Sequence, residues 1–181
     1  MTAQQLRYAL RYAQAFFAVY QEQFNDADFS TARKASAWLR SNRQVLVFFE
    51  ALCAHKSECN AGLIDALIVR LGLAAPFKQL LMVIVEHGRI TVLPEVLRIF
   101  GYLYQERNNV LLFTVASACQ LNDGEQAIFE KFLHQITGNR ILVEYVVRPQ
   151  LIAGVRMSSD VLLWEQSIYK QLKTVSKSLV T

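Results

Sequence analysis

The chain has 181 residues, of which 53% are hydrophobic and 19% charged, and it carries a net charge of +4. This length allows one domain or two small ones, and the apolar content is enough for a packed core, so a disordered chain is excluded. Seven glycines and three prolines in so apolar a sequence are typical of a compact, mainly helical protein.

Several features indicate a chain that works in a reducing compartment without entering a membrane. The three cysteines, Cys53, Cys59 and Cys119, are an odd number without regular spacing, which is typical of reduced thiols. The apolar run 80–85 is bounded by polar residues and falls far short of the roughly 20 residues of a membrane span. The N-terminal stretch lacks the features of a secretory or transit segment, so we expect no targeting peptide and no membrane insertion.

Helical periodicity dominates the sequence up to about residue 107. It predicts six helices, over residues 4–21, 30–41, 44–54, 61–71, 76–87 and 92–107. The breaks between them contain residues that begin or end helices: Gly88 suits a left-handed C-terminal cap, and Pro76 and Pro94 suit a first helical turn. The first domain is therefore predicted to be a six-helix bundle over residues 1–107.

The pattern then changes to short β-type runs around one helix. Strands are predicted over 110–115, 140–147 and 151–157. The second and third of these are expected to pair as a hairpin. Asn122 caps a helix that runs to about residue 137, and a last helix is predicted over 165–178, directly after Trp164. The predicted fold class is mainly α, with the six-helix bundle followed by a small mixed α/β domain over 108–181.

The first helix carries more apolar surface than one core contact needs. At about 100° per residue, its main apolar stripe consists of Leu6, Ala9, Leu10, Ala13, Phe16, Phe17 and Tyr20. We expect this stripe to face the core. A second stripe beside it consists of Tyr8, Tyr12, Ala15 and Val19. One helix thus has two apolar faces.

The fifth helix is apolar over well over half of its circumference. Its polar residues between positions 77 and 87 are Lys78, Gln79, Glu86 and His87. A surface helix needs an apolar stripe only about 100° wide. Two interpretations remain open: a central helix buried on all sides, or one wall of a hydrophobic groove, shared with the first helix, for an amphipathic helix of another protein.

No group of residues has the spacing that predicts catalysis or a bound cofactor. Cys53, His55 and Cys59 are a cluster of metal-ligand types, but their spacing matches no common zinc pattern. His87 has no second histidine at helical spacing, and His134 is a lone histidine on an amphipathic helix. We therefore predict no active site, no cofactor and no metal.

The last predicted helix is basic and amphipathic. Its apolar residues are Ile168, Leu172, Val175 and Leu179, and its lysines are Lys170, Lys173 and Lys177. Such a helix can pack on its own sheet, lie on a membrane surface or pair with an acidic helix. The residues alone leave these alternatives open.

Several stretches resemble the delta subunit of bacterial F-type ATP synthases, a relative of the mitochondrial oligomycin-sensitivity-conferring protein. "RYAQAF" at 11–16 resembles the family's opening tyrosine-alanine helix, and "VASACQL" at 115–121 resembles its strand-to-helix entry. The most specific stretch is "FKQLLMVIVEHGRITVLPEVLRIF" at 77–100, whose Gly-Arg, Leu-Pro-Glu and closing phenylalanine match the family pattern. "PQLIAG" at 149–154 resembles its Leu-Ile-Gly-Gly turn. The resemblance covers nearly the whole chain.

Departures from the family pattern lie near the C-terminal end. Arg148 stands where the family usually has an aspartate, and Ala153 replaces the first glycine of the turn. The family's later Gly-Asp and Ile-Asp-Gly-Ser segment is reduced to Ser159-Asp160 and the stretch 163–167. These changes limit what the resemblance implies about the contacts of the C-terminal domain.

The resemblance implies a non-catalytic stator subunit of a proton-translocating F-type ATP synthase, peripheral at the cytoplasmic face of a bacterial inner membrane. Domain 1–107 would bind N-terminal segments of alpha subunits on the catalytic head, and domain 108–181 would bind the b subunits of the peripheral stalk. The head would then not rotate with the rotor. The implied partner-binding groove consists of Tyr8, Tyr12, Ala15, Phe16, Leu80, Val83 and His87, and the implied stalk contact of Trp164, Ile168 and Leu172.

Core packing remains an equal alternative for two of the groove residues, Phe16 and Leu80. Phe77, Leu81 and Ile84 are expected to face the bundle itself. For Tyr12 and Val83 the helical projection favours a position beside the core stripe, where a partner can reach them.

A second class of function is a basic helical nucleic-acid-binding or adaptor protein. The positive net charge favours it, although the basic residues are scattered rather than grouped. Salt response separates the two classes, because phosphate contacts lose affinity steeply as salt rises and apolar groove binding does not.

Overall fold

A computed structural model describes residues 3–55, 60–159 and 162–179. The chain divides into two compact units, Met1–Glu106 and Arg107–Thr181. The protein is mainly helical, with a small mixed four-stranded sheet towards its C-terminus, as the sequence predicts.

Within the described residues, six α-helices precede the first strand. They are α1 (Ala3–Tyr20), α2 (Asp26–Ser41), α3 (Arg43–His55), α4 (Asn60–Leu71), α5 (Pro76–Glu86) and α6 (Leu93–Asn108). The second helix begins earlier than predicted because Asn25 and Asp28 form a capping box. The Asn25 side chain accepts from the Asp28 N–H at 2.9 Å, and the Asn25 N–H donates to the Asp28 carboxylate at 3.0 Å.

An aromatic cluster joins α1, α5 and α6 in the core of the helical unit. The ring of Phe16 lies 5.0 Å from that of Phe77 and 6.0 Å from that of Phe100, between centroids. Phe24, just beyond α1, packs against Phe100 at 4.9 Å. Aromatic pairs at these separations add to the free energy gained from burial, so the cluster fixes α1 against α5.

The main apolar stripe of α1 lies only partly in this core. Four members are buried as predicted: Ala9, Ala13, Phe16 and Phe17. The prediction was wrong for Leu6 and Leu10, which have 44% and 42% of their surface exposed. Leu10 projects to the flank of the buried residues, whereas Leu6 lies about one turn before Ala9, near the start of the helix.

The C-terminal unit is built on a sheet with the strand order β2-β1-β3-β4. The strands are β1 (Val110–Ser117), β2 (Arg140–Val147), β3 (Gly154–Ser158) and β4 (Leu163–Ser167). Helix α7 (Asp123–Thr137) connects β1 to the parallel β2, whereas β3 pairs antiparallel with β1 and β4 pairs antiparallel with β3. Helix α8 (Ile168–Leu179) follows β4.

Two predictions for this unit were wrong. The second and third strands do not form a hairpin, because the α7 crossover places β2 parallel to β1 and β3 then takes the other edge of β1. Residues predicted to begin the last helix instead form β4, which places Trp164 in a strand. These residues pair with β3, as in the register of Glu165 opposite Arg156, and α8 starts only at Ile168.

The core of the C-terminal unit lies between α7 and the sheet. Its buried members are Phe113, Val115, Leu133 and Met157. Tyr145 of β2 packs against this core, and its hydroxyl donates to the Gln126 carbonyl oxygen at 3.0 Å. Burial, followed by the charge and hydrogen bonding of Glu130, raises the pKa of Tyr145 to about 12.

We expect the stability of this unit to fall as the pH rises from about 10 to about 12. A tyrosine in an unfolded chain has a pKa of about 10, so over this range the unfolded state loses a proton that the folded state keeps. Below about pH 10 the contribution of Tyr145 is fully present. Urea unfolding of the wild type and of Tyr145→Phe at several pH values measures it, and an equal alkaline decline in both proteins would contradict this origin.

Candidate partner-binding surfaces

Side chains of α1 meet the C-terminal end of α5 in a small polar and aromatic cluster. Tyr12 Oη lies 3.2 Å from His87 Nδ1, and Arg89 Nη1 donates to Tyr12 Oη at 3.1 Å. The Arg89 guanidinium also stacks on the Tyr8 ring, 3.9 Å from its centre. The structure therefore brings together three residues of the predicted groove, Tyr8, Tyr12 and His87.

The cluster depends on the turn that follows α5. Gly88 has φ +62°, the left-handed conformation predicted for it, and glycine adopts this conformation without steric cost. The Arg89 N–H donates to the Ile84 carbonyl oxygen at 3.0 Å and closes the helix end. The sequence analysis missed the contacts of Arg89 with α1, because no local pattern reveals a partner 77 positions away.

The hydrogen bonds of His87 define what the cluster offers to a partner. His87 Nδ1 lies 2.8 Å from the Val83 carbonyl oxygen. Since a carbonyl oxygen only accepts, Nδ1 carries the proton, and the Tyr12 oxygen accepts from His87 and from Arg89. The Tyr12 hydroxyl and the His87 ring thus form a polar edge beside the apolar residues of the two helices.

The predicted groove residues differ in exposure. Tyr8 and Tyr12 are half-buried, Ala15 and His87 are exposed, and Val83 has 41% of its surface exposed. We call these five residues the α1–α5 surface. Phe16 and Leu80 are buried within the helical unit, which favours the alternative of core packing for both.

The fifth helix is buried on one side only. Phe77, Leu81 and Ile84 lie in the core, which confirms the expectation for these three. Met82 and Val83 are exposed, so the interpretation of a central helix covered on all sides is excluded. The excess apolar surface of this helix therefore faces outward beside α1.

The C-terminal unit also leaves apolar residues uncovered. The side chains of α8 from Ile168 to Ser176 are exposed, with 56% of the Leu172 surface accessible. The helix contacts β4 and the 3-10 turn Pro149–Leu151, but its described apolar residues Ile168, Leu172 and Val175 stay exposed, so packing on the sheet does not cover this part of the stripe. Trp164 of β4 is exposed as well, and we call the uncovered residues Trp164, Ile168, Leu172 and Val175 the C-terminal apolar surface.

A third apolar face was missed in the sequence. Ile128, Phe132 and Ile136 follow one another at helical spacing on α7, and all three are exposed. Their spacing was visible as a pattern, but a helix over a sheet is expected to bury such residues. The buried side of α7 is instead provided by Leu133.

The possible metal ligands can be compared only within the described part of the chain. Of the Cys53, His55 and Cys59 group, Cys59 lies outside the described residues, as do the side chains of the other two. Among the described residues, no three His, Cys, Asp or Glu side chains are grouped as metal ligands. In the same ranges no helix combines the length and apolar character needed to cross a membrane.

Two compact units with exposed apolar helical faces are typical of a protein that binds other polypeptides. The family model of the ATP synthase delta (OSCP) subunit matches residues 9–179, and the chain belongs to this family. It is a structural stator subunit of an F-type ATP synthase. The alternative of a nucleic-acid-binding adaptor is not supported.

Similar proteins agree with this assignment. "ATP synthase subunit delta" of Geobacter sp. (strain M21) is 29% identical over 172 residues, which cover 94% of this chain and 95% of the relative. The subunit of the same name from Citrifermentans bemidjiense is 27% identical over 172 residues, with the same coverage. A chain in the structure of the Toxoplasma gondii mitochondrial ATP synthase hexamer has a TM-score of 0.59 over 100% of this chain and 99% of its own length. At 15% identity this likeness shows the fold alone.

Proposed function

We propose that the helical unit binds N-terminal segments of alpha subunits at the α1–α5 surface, and that the C-terminal unit binds the b subunits of the peripheral stalk. The protein then lies peripherally at the cytoplasmic face of a bacterial inner membrane and keeps the catalytic head from turning with the rotor. One observation carries this proposal: both units of a chain of this family leave apolar helical faces uncovered.

The α1–α5 surface suits one apolar face of an amphipathic helix. Val83 and Ala15 offer apolar contact, while Tyr12 and His87 add polar groups at the edge. Burial of apolar surface contributes about 25 cal/mol per Å², and a few central residues dominate the affinity of most such interfaces. Phe16 and Leu80 support this surface from the core instead of contacting the partner.

The two binding regions correspond to the proposed domains, a six-helix bundle over 1–107 and a small α/β domain over 108–181. The division of the chain between Glu106 and Arg107 supports this boundary. Exposure of Trp164, Ile168 and Leu172 supports the assignment of the stalk contact to the second domain.

Capture of partner chains by the full-length protein tests the proposal. Immobilised wild type incubated with solubilised source membranes should retain the alpha and b subunits. Leu172→Asp should reduce capture of b at least about tenfold and leave capture of alpha unchanged, because the new carboxylate would lose its hydration only in the stalk contact.

Folding does not complicate this result, since Leu172 is exposed and its replacement leaves the core intact. Retention of alpha serves as the internal control for the folded helical unit. If wild type captures neither subunit, the proposed function is wrong. If Leu172→Asp still captures b at the wild-type level, the stalk contact lies elsewhere.

A further inference from the structure

We propose that a basic groove in the C-terminal unit binds an acidic polypeptide segment of the stalk partner. The groove has a volume of about 710 Å³, and its cations are Arg148, Arg156, Lys170 and Lys173. We call it the basic groove. The inference rests on the proposed function in taking the stalk as the partner, and it adds the charge that the bound segment must carry.

Two arginines reach the groove from the sheet. Arg148 follows β2, and its backbone N–H donates to the Ser117 carbonyl oxygen at 2.7 Å, which fixes this residue beside the end of β1. Arg156 lies on β3 opposite Glu165 of β4. The arginines therefore occupy positions set by backbone pairing.

Two lysines reach the groove from the first turns of α8. Ser167 is buried, and its Oγ accepts from the Lys170 N–H at 3.1 Å, so it caps the helix where β4 ends. The Lys170 ammonium donates to the Glu165 carbonyl oxygen at 3.3 Å, and the Lys173 ammonium lies 6.0 Å from the centre of the Tyr169 ring. The start of α8 is thus held to β4 with its lysines beside the arginines.

The positive charge of the groove is not balanced by its own carboxylate. Glu165 is the acidic residue in the lining, and both of its carboxylate oxygens are engaged. Oε2 lies 3.9 Å from Arg156 Nε, and Oε1 accepts from the Ser167 hydroxyl at 2.7 Å. Among the described residues, neither Arg148 nor Lys173 makes an ion pair. Four cations therefore share one carboxylate, and added anionic groups would relieve their mutual repulsion.

The shape of the groove favours a polypeptide as the source of these anions. Its volume of about 710 Å³ leaves room for several side chains of a bound segment. Leu151, Leu163 and Tyr169 add apolar lining between the cations, which matches an acidic segment that also carries apolar residues. The same strand and helix also carry Trp164 and Leu172, so one partner can cover both surfaces.

Charge reversal at Arg148 and Lys173 tests this inference. The full-length protein is titrated with the purified extramembrane part of the b subunit from the same organism, at low and high salt. Both residues are exposed, so Arg148→Glu and Lys173→Glu should preserve the fold. Each should weaken binding about five- to tenfold at low salt and make the affinity less dependent on salt.

Lys131→Glu, an equal charge change on the exposed side of α7, should have less than a twofold effect on binding of the b subunit.

The outcomes separate this inference from the proposed function. If wild type does not bind the b subunit, the stalk role fails, and the inference fails with it. If wild type binds but Arg148→Glu and Lys173→Glu behave like Lys131→Glu, only the basic groove is wrong. Vesicles containing phosphatidylglycerol provide a further arm: loss of vesicle binding in both variants with unchanged b binding would assign the groove to anionic lipid and overturn the inference.

Discussion

Replacing Val83 by aspartate should weaken binding of an alpha-subunit N-terminal peptide by about 2–4 kcal/mol, a loss of roughly 30- to 1,000-fold. Val83 lies on the outer side of α5, and 41% of its surface is exposed, so the free protein tolerates the charge. In the complex the carboxylate would face an apolar helix and lose its water without gaining a partner. Fluorescence anisotropy of a labelled peptide measures the loss directly.

Tyr12→Asp should weaken the same complex without unfolding the chain. The substitution removes the aromatic ring and the hydroxyl that His87 and Arg89 contact. In the free protein position 12 is only half-buried, so the shorter aspartate side chain stays hydrated, and the Arg89 guanidinium provides an opposite charge on the same surface. The lost affinity would therefore come from the interface rather than from the stability of α1.

Val69→Asp provides the matched control for both variants. Val69 lies on α4 of the same unit with 81% of its surface exposed, so the variant introduces the same charge at a residue outside the proposed contact. Its peptide affinity should stay within a factor of two of wild type. Wild-type affinity in both Val83→Asp and Tyr12→Asp would mean that the alpha segment binds another face of the helical unit.

Some local features of the fifth helix were predictable from the sequence. The spacing of Phe77, Leu81 and Ile84 identifies the buried side of α5, because side chains three and four residues apart share one face of a helix. Gly88 marks the turn after α5, because many helices end at a residue in the left-handed conformation and that residue is usually glycine. Both features depend on neighbouring residues only.

Features that depend on distant residues were not predictable in the same way. The helical projection grouped Leu10 with Ala9, but it cannot say which neighbouring helices cover which part of a stripe. The order of the strands depends on the crossover through α7, and an isolated five-residue strand such as β4 is as compatible with helix as with sheet. The stacking of Arg89 on Tyr8 likewise depends on the packing of α5 against α1 and on the turn at Gly88 that precedes Arg89.

The pairing of β3 with β4 in the C-terminal unit requires a glycine at position 154. Gly154 begins β3 with φ +94°, a conformation that side chains with a Cβ rarely adopt. A Cβ at this position would overlap the backbone carbonyl oxygen of Gln166 and lie 3.0 Å from Ser167 Cα. Both atoms belong to the backbone of β4, which cannot move aside without breaking its pairing with β3.

Gly154→Ala should therefore destabilise the C-terminal unit by about 3 kcal/mol or more, through the combined cost of the strained φ and the overlap with β4. Gly154 packs against the residues where β4 passes into α8, and the neighbouring Ala153 carbonyl oxygen accepts from the Ile168 N–H at 3.0 Å. The variant should therefore lose the basic groove and binding of the b subunit together. Binding of the alpha peptide should remain, because the α1–α5 surface belongs to the other unit.

Gly62→Ala is the matched control: a Cβ there meets no atom within 4 Å, and alanine in a helix is favoured over glycine by about 0.5–1 kcal/mol. Urea unfolding with both binding assays distinguishes the cases, and a Gly154→Ala protein that binds the b subunit with wild-type affinity would show that the β3–β4 pairing does not hold the stalk contact in place.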